Sequence, residues 1–225
     1  GMSMLPEEIP VVLTVFLAMG AWRISRARVL TRRAAAIETL GAATVLCTDK
    51  TGTLTQNRMR IAQLRIPADG DFDMHAVGDA GLPERVHPLV DVGRLACAVD
   101  PSDPMEKAFH ALARERLPDG GSAALSQARL VRQYPLRPDL LAMSNVWQHE
   151  DEGQQILVAA KGAPEAIALL CRLDPIQRAA MTRAVEAMAA DGMRVLGVAQ
   201  ARHDGELLPD SQRDFGFAFL GLVGL

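Results

Sequence analysis

At 225 residues, 49% hydrophobic and 23% charged, the chain is long enough for one large or two ordinary domains and apolar enough to fold. A net charge of −3 and an aromatic content of 4% argue against nucleic-acid binding, which calls for basic surface and stacking rings. Three widely spaced Cys and five scattered His offer neither a disulfide framework nor a zinc motif, and the thiols read as reduced and cytoplasmic.

The chain opens on Leu5-Pro6-Glu7-Glu8-Ile9-Pro10. Two prolines four apart interrupt regular helix there and free backbone carbonyls. Those carbonyls and the carboxylates are hard oxygen ligands, suited to Ca²⁺ and similar cations. The apolar run from Ile9 to Trp22 follows, shorter than the ~20 residues of a full membrane span. No basic region precedes it, so it is not a signal peptide. Arg23, Arg26, Arg28, Arg32 and Arg33 come next, which reads as a helix leaving a membrane on its cytoplasmic side. Residues 23 to 40 extend that helix as a stalk, with Gly41 as its stop.

Thr44-Val45-Leu46-Cys47 reads as a short buried strand. Asp49-Lys50-Thr51-Gly52-Thr53-Leu54-Thr55 follows at once. A carboxylate at a strand tip is placed to act as a nucleophile. Lys50 can neutralise phosphoryl oxygens, Gly52 lets backbone approach a phosphate, and the threonines can donate hydrogen bonds to it. This is equipment for forming an aspartyl-phosphate.

Further on, Met59 to Ile66 reads as a strand. Asp69, Asp71 and Asp73 have the opening spacing of a calcium loop, but Met74 and Ala80 stand where that loop needs Gly and Glu, so the reading is rejected. Residues 76 to 87 read as a loop and Pro88 to Val99 as a helix. A second helix covers Met105 to Leu117, with Asp103 as N-cap and Pro104 at its first position. Strands follow at Leu130 to Tyr134, Leu140 to Trp147 and Gln155 to Ala160. Lys161-Gly162-Ala163-Pro164-Glu165 then places a cation at a strand end beside a helix start, a suitable place to meet phosphate. A helix spans Pro164 to Cys171, another Asp174 to Ala190 with Gly192 as its stop, and strands cover Met193 to Ala201 and Phe217 to Leu225. Since that last run is apolar to its end and the first residue is Gly, the chain reads as a fragment of a longer protein.

The Asp49 to Thr55 segment resembles the phosphorylation signature of P-type ATPases, cation pumps of the haloacid-dehalogenase superfamily. Lys161 to Glu165 matches that family's nucleotide-domain motif. Ser102-Asp103-Pro104-Met105-Glu106 is similar to its Asp-Pro-x-Glu element, and Gly192-Met193-Arg194-Val195-Leu196 to its Gly-x-Arg-Val-Leu. The resemblance implies that Asp49 takes the γ-phosphate of ATP, that Mg²⁺ assists at Asp49 and the Thr51 carbonyl, and that Glu106 faces an adenine pocket. It implies that Lys161 and Gly162 line that pocket and that Arg194 reaches the phosphates. Relatives carry Phe and a basic pair before Met-Ser; here Leu136 and Leu140-Leu141 stand there. Tyr134 or Leu136 would then cover the base, and Arg137 would compensate for the lost charge.

Pro6 to Pro10 is similar to the Pro-Glu-Gly-Leu-Pro element of the calcium-pump branch. Glu7 takes the place of its ion-binding glutamate and Glu8 replaces its Gly. The fold implied is α/β and α+β. Residues 1-22 end a transmembrane helix, 23-41 form a stalk, and 42-57 begin a partial Rossmann-like phosphorylation domain. Residues 58-214 form an inserted nucleotide-binding domain, and 215-225 return to the phosphorylation domain. The function implied is ATP-driven cation transport across a lipid membrane, Ca²⁺ first, completed by an actuator domain and further membrane helices of the same parent chain. Two alternatives stand beside it: a soluble phosphatase or phosphotransferase of the superfamily, and a nucleotide-binding module without catalysis. Thr51, where soluble relatives usually place a second Asp, favours a long-lived phosphoenzyme over immediate hydrolysis.

Overall fold

Seven strands make one antiparallel sheet in the order β2-β1-β7-β6-β5-β4-β3. The computed structural model describes residues 8–29, 39, 41–79, 81–118, 128–149, 156–205 and 207–225. The strands are β1 (Gln63–Ala68), β2 (Asp71–Ala76), β3 (Ala128–Tyr134), β4 (Ala142–His149), β5 (Ile156–Gly162), β6 (Val195–His203) and β7 (Ala218–Gly224). The helices are α1 (Glu8–Arg26), α2 (His87–Leu95), α3 (Pro104–Arg116), α4 (Pro164–Leu170) and α5 (Pro175–Ala190). Two compact units divide the chain, Gly1–Gln56 and Asn57–Leu225, and the sheet lies wholly in the second.

Period-two alternation sends successive residues of the central strands to opposite faces. Ala159, Val198 and Val223 face α2 and α3, where Leu89, Val90, Phe109 and Leu112 complete one core. Val158, Ala160 and Ala199 face the other way, onto Ile167 and Leu170 of α4 and onto Phe215 and Phe217. Leu222 joins Met181, Ala184 and Met188 of α5 on that side. Both faces being covered explains why β5 is apolar almost throughout.

The helix starts follow from capping chemistry. Asp103 accepts from the Met105 and Glu106 amides at 2.7 and 3.3 Å, with Pro104 at the first helical position. Asp174 and Gln177 form a reciprocal capping box at the start of α5, whose end is followed by Gly192 at φ 79°. The aspartates near residue 70 belong to a tight hairpin: Gly70, at φ 85°, turns the chain between β1 and β2, and Asp71 pairs with Ala68.

Four expectations need correction. First, Thr44 to Cys47 is not a strand. Val45 and Leu46 are 78% and 88% exposed, and no described strand pairs with the segment, so its backbone gains nothing from extension. Second, β7 lies in this same sheet. It pairs with both β1 and β6, third in the sheet, because its alternating side chains fill both cores. Third, Pro10 does not break a helix. It falls in the first turn of α1, where a residue's N–H has no partner to lose, and its carbonyl accepts the Thr14 hydroxyl at 2.7 Å.

Fourth, α1 does not run on unbroken as a stalk. It ends at Arg26, and Arg28 takes a left-handed φ of 62°. Gly41 is not at positive φ, unlike a glycine stop, and residues 30–38 lie outside the described residues. The helix over Ile9–Arg26 is long and apolar enough to cross a membrane and is unburied all round. Glu7 lies outside the described residues.

Candidate functional site

In the first unit, Asp49 (φ −69°, ψ 148°) leads into a turn at Lys50–Leu54 that is closed by the Thr55 amide donating to the Lys50 carbonyl at 3.1 Å. The Thr55 hydroxyl donates to the same carbonyl at 3.3 Å, and the Thr48 hydroxyl to the Asp49 carbonyl at 3.2 Å. Gly52, at φ 77°, takes the left-handed conformation that bends the chain back. Asp49 makes no capping bond to this turn, and every residue from Gly41 to Thr55 is exposed. A carboxylate, an ammonium and three hydroxyl-bearing residues thus share one open turn. The Asp49 carboxylate and the Thr51 carbonyl are hard oxygen donors, a set that fits Mg²⁺.

In the second unit, the sheet end formed by the close of β3 and β5 and the start of β4 and β6 gathers the other predicted residues. Lys161 of β5 faces α2 and α3 and is almost fully buried. Its Nζ lies 2.5 Å from Glu106 Oε1 and donates to Cys97 Sγ at 3.0 Å, while the Phe109 ring centroid is 5.9 Å away. The other carboxylate oxygen, Glu106 Oε2, accepts the Ala98 amide at 3.3 Å. His110 Nε2 bonds the Ala98 carbonyl at 3.0 Å. Burial pushes the Cys97 thiol up to about 11, against the opposing pull of the Lys161 ammonium, so the sulfur stays protonated and donates to the Gly93 carbonyl at 3.2 Å. Burial likewise holds His110 below its ordinary value. The outcome is a desolvated carboxylate–ammonium pair with a thiol and an aromatic face beside it. Such a group presents both a donor and an acceptor to a polar ligand.

Gly162 is placed by packing. A Cβ there would strike the Leu141 carbonyl oxygen and come within 2.6 Å of Ala142 Cα, so β4 and β5 approach this closely only over glycine. Arg194 immediately precedes β6 at the same sheet end; its backbone exchanges two 2.9 Å bonds with Leu225 and its side chain is exposed. Leu136 lies in the β3–β4 connection, 58% exposed.

Tyr134 is placed apart from the Lys161–Glu106 pair. Its side chain points to the opposite sheet face, where it is 7% exposed, packs edge-on against Phe215 with centroids 5.6 Å apart and donates to the Pro209 carbonyl at 2.5 Å. Alternation along β3 enforces this, since the neighbouring Gln133 takes the Glu106 face. Arg137 is engaged with Asp139 at 3.0 Å in the exposed connection.

Sequence reading missed Cys97, His110 and the two β4 side chains, Asn145 and Trp147, that tie the Cys97 turn to the sheet. A polar Asn inside an apolar strand was the one visible signal. A separate concavity of about 410 Å³ lies between the β1–β2 hairpin, the start of α5 and Phe217 to Phe219. None of the predicted site residues lines it.

No family model matches the chain. It is 31% identical over 227 residues to the probable cation-transporting ATPase F of Mycobacterium tuberculosis, covering 85% of this chain and 24% of that relative. It is 30% identical over 258 residues to the human calcium-transporting ATPase type 2C member 2, covering 100% of this chain and 26% of that relative. To the sodium/potassium exporting P-type ATPase cta3 of Schizosaccharomyces pombe it is 28% identical over 278 residues, covering 100% and 26%. The chain thus spans about a quarter of the length of these curated relatives. By these likenesses, sustained across nearly all its residues, it belongs to the P-type cation-transporting ATPases.

Proposed function

We propose that this chain is the phosphate-accepting and nucleotide-binding part of a pump that moves a cation, Ca²⁺ first, across a membrane. The observation that carries the proposal is the open turn holding Asp49, Lys50, Thr51 and Gly52, in a chain related to cation pumps along its whole length. ATP binds at the sheet end bearing Lys161, Glu106, Gly162, Leu136 and Arg194. A carboxylate oxygen of Asp49 attacks the γ-phosphorus, the bond to the β-phosphate oxygen breaks, and ADP leaves. Lys50 balances charge on the transferred phosphoryl group. Asp49 and the Thr51 carbonyl would hold Mg²⁺, which would supply further charge neutralisation there. Hydrolysis of the acyl phosphate then regenerates Asp49.

The apolar exposed surface of α1 and the arginines after it support a membrane-crossing helix with its basic end, and the parts that follow it, on the cytoplasmic side. Glu7, which precedes that helix in the sequence, is the proposed cation ligand, because a carboxylate within a bilayer needs a cationic partner. An actuator domain and further membrane helices of the parent chain complete the pump. Ion-activated phosphorylation of the full-length parent by ATP tests the reading. Phosphorylation that rises with Ca²⁺ in the wild type and loses that response in Glu7→Gln supports it. Ca²⁺ transport by Glu7→Gln with unchanged affinity refutes the ligand.

A further inference from the structure

We infer that Asn145 and Trp147 of β4 are positioning residues for the nucleotide site, a role that rests on the reading of Lys161 and Glu106 as its binding pair. The turn after α2, from Leu95 to Ala98, carries two of the groups that hold that pair: the Cys97 sulfur on Lys161 and the Ala98 amide on Glu106. A helix end leaves its last carbonyls without partners, and here they are buried. The sheet supplies the partners. Asn145 Nδ2 donates to the Leu95 carbonyl at 2.9 Å and to the Cys97 carbonyl at 2.8 Å. Trp147 Nε1 donates to the Leu95 carbonyl at 3.0 Å. One amide group thus uses both its N–H bonds on the turn, and its oxygen accepts Gln133 Nε2 at 3.2 Å, which fixes the amide's orientation.

Asn145 is 1% exposed, so water cannot take over these bonds. Its neighbours in register bring the effect to the site: Asn145 pairs with Ala159 on β5, two residues before Lys161 on the same face. The strand that carries Lys161 is therefore tied, through β4, to the turn that carries its partners. Cutting the tie frees the turn and lets Cys97 and the Ala98 amide drift from the pair. The ammonium and carboxylate then lose the fixed placement on which recognition of a ligand's polar edge depends. On the opposite face of the same strand, Ser144 donates to Gln212 Oε1 at 2.6 Å and makes no contact of this kind.

The test uses the full chain carrying Cys47→Ser and Cys171→Ser, titrated with MgATP and followed by amide chemical shifts. Asn145→Leu keeps the size and removes both donors; Trp147→Phe removes one. Asn145→Leu is expected to weaken MgATP about tenfold and Trp147→Phe about threefold, in line with loss of buried hydrogen bonds. Alkylation of Cys97 in the folded protein should accelerate in the same order. Ser144→Ala lowers the melting temperature without moving either readout. Should Asn145→Leu fail to fold, Trp147→Phe carries the test. Weakened binding by Lys161→Ala, with unchanged affinity in every folded Asn145 and Trp147 variant, overturns the positioning role alone. Unchanged binding by Lys161→Ala overturns the site reading and the positioning role with it.

Discussion

Replacing Glu106 with Ala should damage stability out of proportion to the atoms removed. The Lys161 and Glu106 side chains are 8% and 13% exposed, and their charged atoms meet at 2.5 Å. Without the carboxylate, the ammonium keeps the Cys97 sulfur at 3.0 Å and the Phe109 ring face at 5.9 Å, neither of which offsets a charge. The Ala98 amide loses its acceptor as well. Breaking a buried pair by removing one partner costs about 3–5 kcal/mol; the residual exposure of Glu106 places this case near the lower figure. For a domain of this size that corresponds to roughly 6–12 °C in melting temperature. Replacing both partners, Glu106→Leu with Lys161→Met, removes the stranded charge and should recover stability to within about 1 kcal/mol of the wild type. Differential scanning calorimetry of the full chain at neutral pH reads all three proteins. A Glu106→Ala protein that melts with the wild type, or a double variant that melts no higher than Glu106→Ala, would refute the argument that desolvation dominates this pair.

Gly162→Ala should destabilise by about 1–3 kcal/mol in urea unfolding, because the added methyl meets backbone of Leu141 and Ala142 that cannot rotate away. Asp174→Ala removes the capping box of α5 and should cost about 1 kcal/mol in the same assay. The folded state holds the Cys97 proton more tightly than the unfolded chain does. That contribution is complete below pH 9.0 and is lost as pH rises through about 11, so Cys97→Ala should flatten the alkaline fall of stability. His110 has the opposite sign: its lowered value contributes stability above pH 6.5 that is lost as pH falls below it, and chemical denaturation across the acid range reads the slope. Tyr134→Phe should lower stability through the lost bond to Pro209 yet leave MgATP affinity unchanged, which separates it from the proposed nucleotide residues.

The local chemistry of this chain was the readable part. Asp103, Pro104 and Asp174 announce helix starts because capping is a short-range interaction between a side chain and amides two or three residues on. The alternation in β4 and β5 likewise marks strands. Pairing was not readable, because it is decided by distant segments. β7 reads as an apolar strand wherever it is placed, and only the matching faces of β1 and β6 put it third in the sheet. Thr44 to Cys47 has strand-forming residues but gains no partner in the described structure, so propensity alone does not extend it. Tyr134 reads, beside Leu136, as a cover for the base because aromatic rings stack on bases. The one-residue parity of β3 that sends it to the other face is a register property invisible before the sheet is built. The same holds for Cys97 and Asn145, which lie 48 residues apart in sequence and meet only through the fold.

The central claim is that Asp49 carries the phosphoryl group. The full-length parent, incubated briefly with γ-labelled ATP and Mg²⁺ and quenched in acid, should retain label on the protein. Hydroxylamine, which cleaves acyl phosphates, should release it, and the Asp49→Asn variant should show none. Undiminished, hydroxylamine-sensitive label in the Asp49→Asn variant would place the nucleophile elsewhere and contradict the account.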